Sequence, residues 1–265
     1  MGTVQSQDGT TIAFETRGAG PPLILVDGGF GHRAFGPNEA LAPLLAHHFT
    51  VVTYDRRGRG ESDDTPPYAV QREVDDIQAL VTAVGGSAFV YGISSGGALA
   101  LEAARCLPAI SKLALYELPF VVDDSRRPIP PDFTARLTDL IASGRRGTAV
   151  TYFMRAGVGV PALVVALMHV MPAWSKLKAL AHTIPYDAVI LGDTGAGTPL
   201  PAQRWATVTA PTLVVDGGKS PAWTRHAMRA LADTLPHATY RTLPGQTHLV
   251  KPAALAPVLV EFFAG

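Results

Sequence analysis

The stretch that decides the fold runs Ala88-Phe89-Val90-Tyr91, then Gly92-Ile93-Ser94-Ser95-Gly96, then the amphipathic residues 98–106. A short apolar run of this kind suits a strand buried on both faces, and the residues after the glycines carry a helical period. A strand that turns directly into a helix needs small residues at the corner. Gly92 and Gly96 supply them. The corner then pushes the Ser94 hydroxyl out at the helix N-terminus, where the helix dipole favours developing negative charge.

Outward from this corner the same alternation continues. Residues 10–15 alternate as a strand, and 23–26 form an apolar run ending at Asp27-Gly28-Gly29. Residues 39–48 read as a helix, 50–54 as a strand, 72–84 as a helix and 113–116 as another apolar strand. Strands alternating with helices predict an α/β fold: a mostly parallel central sheet with helices on both faces. At Glu117 the rhythm changes. Residues 118–205 hold many prolines and helical stretches at 132–143, 148–155 and 163–171, without a strand. The alternation resumes with strands at 212–216 and 239–243 and helices at 221–235 and 252–263. The expected organisation is therefore a core of residues 1–117 and 206–265, with 118–205 as a mostly helical cap inserted after the strand ending at Glu117. Residues 156–175 lack Asp, Glu, Lys and Arg over about the length of a membrane span, but Gly157, Gly159, Pro161, His169 and Pro172 interrupt them. This run is expected to be an apolar lid over a binding pocket.

Composition removes several classes. The 22 Lys+Arg balance 22 Asp+Glu, so the basic excess of a nucleic-acid binder is missing. With 47% hydrophobic and 17% charged residues the chain is not disordered, and at this size it buries roughly three quarters of its unfolded surface. The N-terminus shows no basic-then-apolar leader, and the single Cys106 excludes an internal disulfide, so a cytoplasmic protein without a membrane partner is expected. There is no metal-ligand spacing and no Gly-x-Gly-x-x-Gly turn; neither metal nor organic cofactor is expected.

A serine hydroxyl is a poor nucleophile at neutral pH and needs a base at the same sheet edge. His248, in Pro244-Gly245-Gln246-Thr247-His248 between the last strand and the last helix, meets that requirement. The imidazole in turn needs a carboxylate to fix its tautomer. Asp216 and Glu117, each at the carboxyl end of a strand, are the candidates.

With these residues in place, the chain resembles the α/β-hydrolase-fold serine hydrolases over nearly its whole length, and Asp55-Arg56-Arg57-Gly58-Arg59-Gly60-Glu61-Ser62 resembles that family's loop after the second parallel strand. The usual acid of the family lies a few residues past the strand 212–216, at about Ser220, and serine cannot do that work. The segments Asp27-Gly28-Gly29, Ser94-Ser95-Gly96, Tyr116-Glu117-Leu118-Pro119 and Pro172-Ala173-Trp174 through Thr183-Ile184-Pro185 resemble pieces of the zearalenone lactone hydrolases, whose acid is a glutamate at the place of Glu117. The resemblance implies a Ser94–His248–Glu117 triad. It also implies an oxyanion hole from the amides of Ser95 and Gly28, with Gly29 as second choice, and substrate contacts from Trp174, Gly29 and Phe30. The implied reaction is hydrolysis of a small hydrophobic ester or lactone. A thioesterase, a carbon–carbon bond hydrolase or a perhydrolase would use the same three residues, and a non-catalytic binding protein can share the fold. A homodimer is compatible with the sequence.

Overall fold

A computed structural model describes residues 1–265. The chain begins with β1 (Gly2–Gln5), β2 (Thr11–Arg17), β3 (Pro22–Val26), α1 (Pro37–Leu45), β4 (Thr50–Tyr54), α2 (Val70–Ala83), β5 (Ala88–Ile93), α3 (Ser95–Cys106) and β6 (Ile110–Tyr116). The strands form one eight-stranded sheet, completed by β7 (Thr212–Gly217) and β8 (Ala238–Leu243), in the order β1-β2-β4-β3-β5-β6-β7-β8. β1 pairs antiparallel with β2 and β2 antiparallel with β4, and from β4 onward in the sheet order every pair is parallel. β3 leads through α1 to β4 on one side, and the chain then crosses back through α2 to β5 on the other. The carboxyl ends of β3 and β5 thus flank the switch point where doubly wound sheets bind ligands.

Each central strand is buried on both faces, which is why its sequence is continuously apolar. Ile24, Val52 and Val90 face a cluster with Ile77 of α2 and Leu101 of α3. Leu23, Leu25, Val51 and Tyr91 face the opposite cluster with Leu41 of α1. α3 starts at Ser95, earlier than its period suggests, because its first turn is made of small residues whose burial leaves no apolar pattern to read. β1 was not expected from the sequence; its residues alternate between exposed and half-buried, so it carries little apolar signal.

Between β6 and β7 lie α4 (Phe133–Ala142), α5 (Arg146–Tyr152) continuing into a π-helical turn (Phe153–Val158), α6 (Ala162–Met168), α7 (Ala173–Leu180), a 3₁₀ turn (Ala181–Thr183) and α8 (Ile184–Leu191). α9 (Ala222–Thr234) and α10 (Pro252–Ala264) follow, α9 against the face of α2 and α3, α10 against that of α1. The helical insert has its own apolar cluster, including Leu137, Val150, Leu177 and Ile184, and this cluster takes in Phe30 from the loop after β3. The two ends of the insert belong instead to the core: Phe120 stacks on Trp205 at 5.7 Å, and Trp205 Nε1 donates to Glu102 Oε1 at 3.0 Å.

The uncharged run 156–175 is not one buried element. It is divided by Gly159 and Pro161, and Leu163, Leu167 and Val170 of α6 and its following turn are exposed, with Val165 the buried residue of that helix. Their side chains are therefore open to solvent. No single helix is long and apolar enough to cross a membrane.

Because Trp205 pins the return of the insert to the core, Trp205→Ala should destabilise the protein by about 3–5 kcal/mol, read by urea unfolding.

Candidate active site

At the corner after β5, Ser94 has φ 57° and ψ −133°, a left-handed backbone that L residues adopt only when their surroundings impose it. Its amide donates to the Tyr116 carbonyl at 2.9 Å, which ties the corner to the end of β6. The glycines are demanded by close approach. A Cβ on Gly92 would lie 2.6 Å from Gly97 Cα, and one on Gly96 would collide with the Asp27 carbonyl.

Glu117 follows directly on β6, also with positive φ (45°), and is 1% exposed. Its Oε1 accepts from the Gly217 amide at 2.8 Å and from the Ser220 hydroxyl. Its Oε2 accepts from His248 Nδ1 at 3.0 Å. The serine that occupies the usual acid position therefore braces the glutamate. Asp216 takes the Tyr240 hydroxyl instead, and no hydrogen bond joins it to His248. The loop carrying His248 is held by Tyr116, whose hydroxyl donates to the Thr247 carbonyl at 2.8 Å, and by Lys219, whose amide donates to the Gln246 carbonyl at 2.8 Å. The His248 side chain is 47% exposed, and the structure forms no hydrogen bond between it and Ser94. Its Nδ1 is spoken for by Glu117, which leaves Nε2 as the nitrogen available to a nucleophile.

The loop after β3 lies against Ser94: a Cβ placed on Gly28 would be 2.9 Å from Ser94 Cβ and 3.5 Å from its Oγ. The Gly28 carbonyl is occupied by Arg59 Nη1 at 2.6 Å and by the Gly31 amide at 3.1 Å, whereas the amides of Gly28 and Gly29 find no acceptor in the protein. Ser95 is the first residue of α3, so its amide has no intrahelical acceptor either. Free amides on both sides of a serine hydroxyl are what an oxyanion requires. Phe30 (φ 63°) packs edge-on against Phe153 at 5.6 Å, and a Cβ on Gly29 would touch the Phe153 ring at 3.5 Å. Trp174 is placed differently. Its ring meets His169 at 4.1 Å and lies over Gly147, contacts that belong to the insert rather than to Ser94.

Sequence reading missed the group that joins the insert to this loop. Asp187 of α8, 1% exposed, accepts from Arg56 Nη1 and the Ser95 hydroxyl on Oδ1 and from Arg59 Nη2 on Oδ2, each at 2.8 Å. Arg56 is also held by Glu73 through two bonds of 2.7 Å. Two buried cations thus meet two buried anions. Burial alone would raise the Asp187 carboxyl, but Arg59 and Arg56 hold it below its usual range. A Cβ on Gly29 would sit 3.6 Å from Asp187 Oδ2, so the cluster lies immediately behind the free amides. Arg56 and Arg59 of the 55–62 segment were the available signal; their partner Asp187, more than 120 residues away, was not.

A second buried acid lies in the same loop. Burial pushes the Asp27 carboxyl up to about 7, with Asn38, Arg59 and Arg56 only partly offsetting it, and its Oδ1 has no hydrogen-bond partner.

Comparison with known proteins identifies the family and the fold. The model of the alpha/beta hydrolase family matches residues 23–258. The chain is 56% identical to an alpha/beta hydrolase from Sphaerobacter thermophilus DSM 20745 of known structure, with a TM-score of 0.91 over 99% of this chain and 100% of that one. It is 37% identical over 105 residues to the uncharacterized hydrolase YraK of Bacillus subtilis (strain 168), a match that spans 38% of each chain. An enol-lactonase from Burkholderia xenovorans LB400 shares the fold, with a TM-score of 0.68 and 21% identity over the full length of both chains.

Two outcomes follow from the buried charges. Asp187→Asn leaves Arg56 and Arg59 with Glu73 as their remaining anion in this cluster and should lower stability by about 3–5 kcal/mol in urea unfolding. Asp27 binds its proton more tightly in the folded chain than in the unfolded one, where its pKa is about 4. The stability it contributes is therefore complete below about pH 4 and is lost as the pH rises through about 7. Unfolding measured at pH 5 and pH 8 should show Asp27→Asn losing less stability over that interval than the parent protein.

Proposed function

The chain belongs to the alpha/beta hydrolase family, and from that premise we propose that it hydrolyses a carboxylic ester or lactone of a hydrophobic substrate through an acyl-enzyme on Ser94. The observation that carries the reading is the 3.0 Å contact of Glu117 with His248 Nδ1 at the same sheet edge as the Ser94 corner. His248 Nε2 takes the Ser94 proton as Oγ attacks the carbonyl carbon. The oxyanion rests on the amides of Ser95 and Gly28, and Glu117 stabilises the imidazolium. Collapse of the tetrahedral species breaks the ester bond, and His248 returns the proton to the departing alcohol. Water, deprotonated by the same nitrogen, then releases the acid and restores Ser94. The hydrogen bond between His248 and Ser94 forms on binding substrate, as such contacts commonly tighten only in the Michaelis complex.

Gly29 and Phe30, backed by the Phe153 ring, are the proposed substrate contacts, and their apolar character favours a hydrophobic acyl group. Trp174 we assign to holding the insert together. The resemblance of short segments to the zearalenone lactone hydrolases makes macrocyclic lactones the first substrates to try beside simple aryl esters.

With p-nitrophenyl butyrate or a large lactone, Ser94→Ala should lower kcat by about 10⁴-fold or more, and Glu117→Gln by about 10²–10⁴-fold. Asp216→Asn should retain activity within a few-fold, since the Asp216 carboxylate is engaged by Tyr240. Undiminished hydrolysis by Ser94→Ala would overturn the reading; parity of Glu117→Gln with the parent would overturn the acid.

A further inference from the structure

The insert differs in charge from the rest of the molecule. It holds seven Arg and two Lys against six Asp, in a chain that is neutral overall. Arg126, Arg127, Arg136 and Arg155, with Thr148 and Thr151, line a cleft of about 580 Å³ on this insert, and no Asp or Glu lines it. None of these four arginines is paired with a carboxylate, in contrast to Arg56, Arg57 and Arg59, each of which is.

Two of the guanidinium groups are held by something other than an anion. Arg126 lies over the Trp223 ring at 4.5 Å, and its Nη2 donates to the carbonyls of Ala156 and Gly157. Its Nη1 is buried without a partner, and burial with no neighbouring anion lowers its pKa from the usual arginine value. Arg136 lies over the Tyr152 ring at 4.7 Å. Burial and, after it, the charge of Asp132 raise the Tyr152 phenol, yet Asp132 forms no salt bridge with any of the four. Aromatic faces and carbonyls fix the orientation of a guanidinium without neutralising it. Cations gathered around one open space repel one another, and an oxyanion placed among them relieves that repulsion while accepting paired N–H bonds.

We propose that this cleft is a binding site for the oxyanion group, carboxylate or phosphate, of a small molecule, separate from the Ser94 site. The forked N–H groups of Arg127, Arg136 and Arg155 contact its oxygens, with Thr148 as a hydroxyl donor; the Thr151 hydroxyl is paired with His169 Nε2 at 3.0 Å. The preorganised Arg126 forms the positive floor.

Titrate the full-length protein by calorimetry with inorganic phosphate and, separately, with butyrate, holding ionic strength constant with sodium chloride. Saturable binding of either anion is expected, weakened tenfold or more in Arg127→Gln/Arg155→Gln and in Arg136→Gln. Circular dichroism shows whether each variant is folded. Binding of phosphate alone identifies the ligand as a phosphate ester, and binding of butyrate alone identifies it as a carboxylate. No saturable binding of either anion, or equal binding by the parent and the folded variants, would overturn the proposal.

Discussion

A carboxylate sealed from water must have its lone pairs met by the protein, and Glu117 satisfies that demand by drawing three parts of the chain together. The Gly217 amide at the end of β7, the Ser220 hydroxyl just beyond it and the His248 imidazole all converge on one side chain. The same residue begins where β6 ends, beside the carbonyl of Tyr116 that receives the Ser94 amide. The positions of the Ser94 corner and of the imidazole are thus referred to one point at the carboxyl edge of the sheet. Removing the carboxylate would strand a buried amide and a buried hydroxyl as well as freeing the histidine.

The other wall of the site rests on charge. Asp187 brings a negative group from the insert into contact with two arginines of the loop after β4 and with the hydroxyl of Ser95, while Arg59 holds the carbonyl of Gly28. Each partner is fully buried, so the Coulomb attraction is opposed by desolvation and the net stabilisation is small. Losing one member is costly. The consequence is geometric: the free amides flanking Ser94 are held by groups from the insert and the core at once, so the insert cannot shift without disturbing them.

The order of strands and helices was legible because buried parallel strands are continuous apolar runs and the helices between them keep a period. Ser94 was legible because a strand cannot turn into a helix at Gly92-Ile93-Ser94-Ser95-Gly96 without exposing its middle side chain. His248 followed from its place in the chain order, and Glu117 from a family resemblance, since Asp216 satisfied the same rule of position. What the pattern could not carry was pairing between distant residues. Ser220 reads as a position without its acid, and the sequence gives no sign that its hydroxyl donates to Glu117. Asp187 is one polar residue in an apolar helix, and only the folded chain brings it to Arg56 and Arg59. The run from 156 to 175 showed the limit of reading charge alone: its absence suggested an apolar lid over a pocket, and it did not reveal that Leu163 and Leu167 of α6 stand open to solvent.

The reaction of the purified protein with a fluorophosphonate, followed by peptide mass spectrometry, tests the assembled site most directly, because the probe requires an activated serine but no knowledge of the substrate. One adduct per chain on the peptide carrying Ser94, absent from Ser94→Ala, is the predicted result. A folded protein that takes up no probe, or carries it on another residue, would contradict the assignment of Ser94 as the nucleophile.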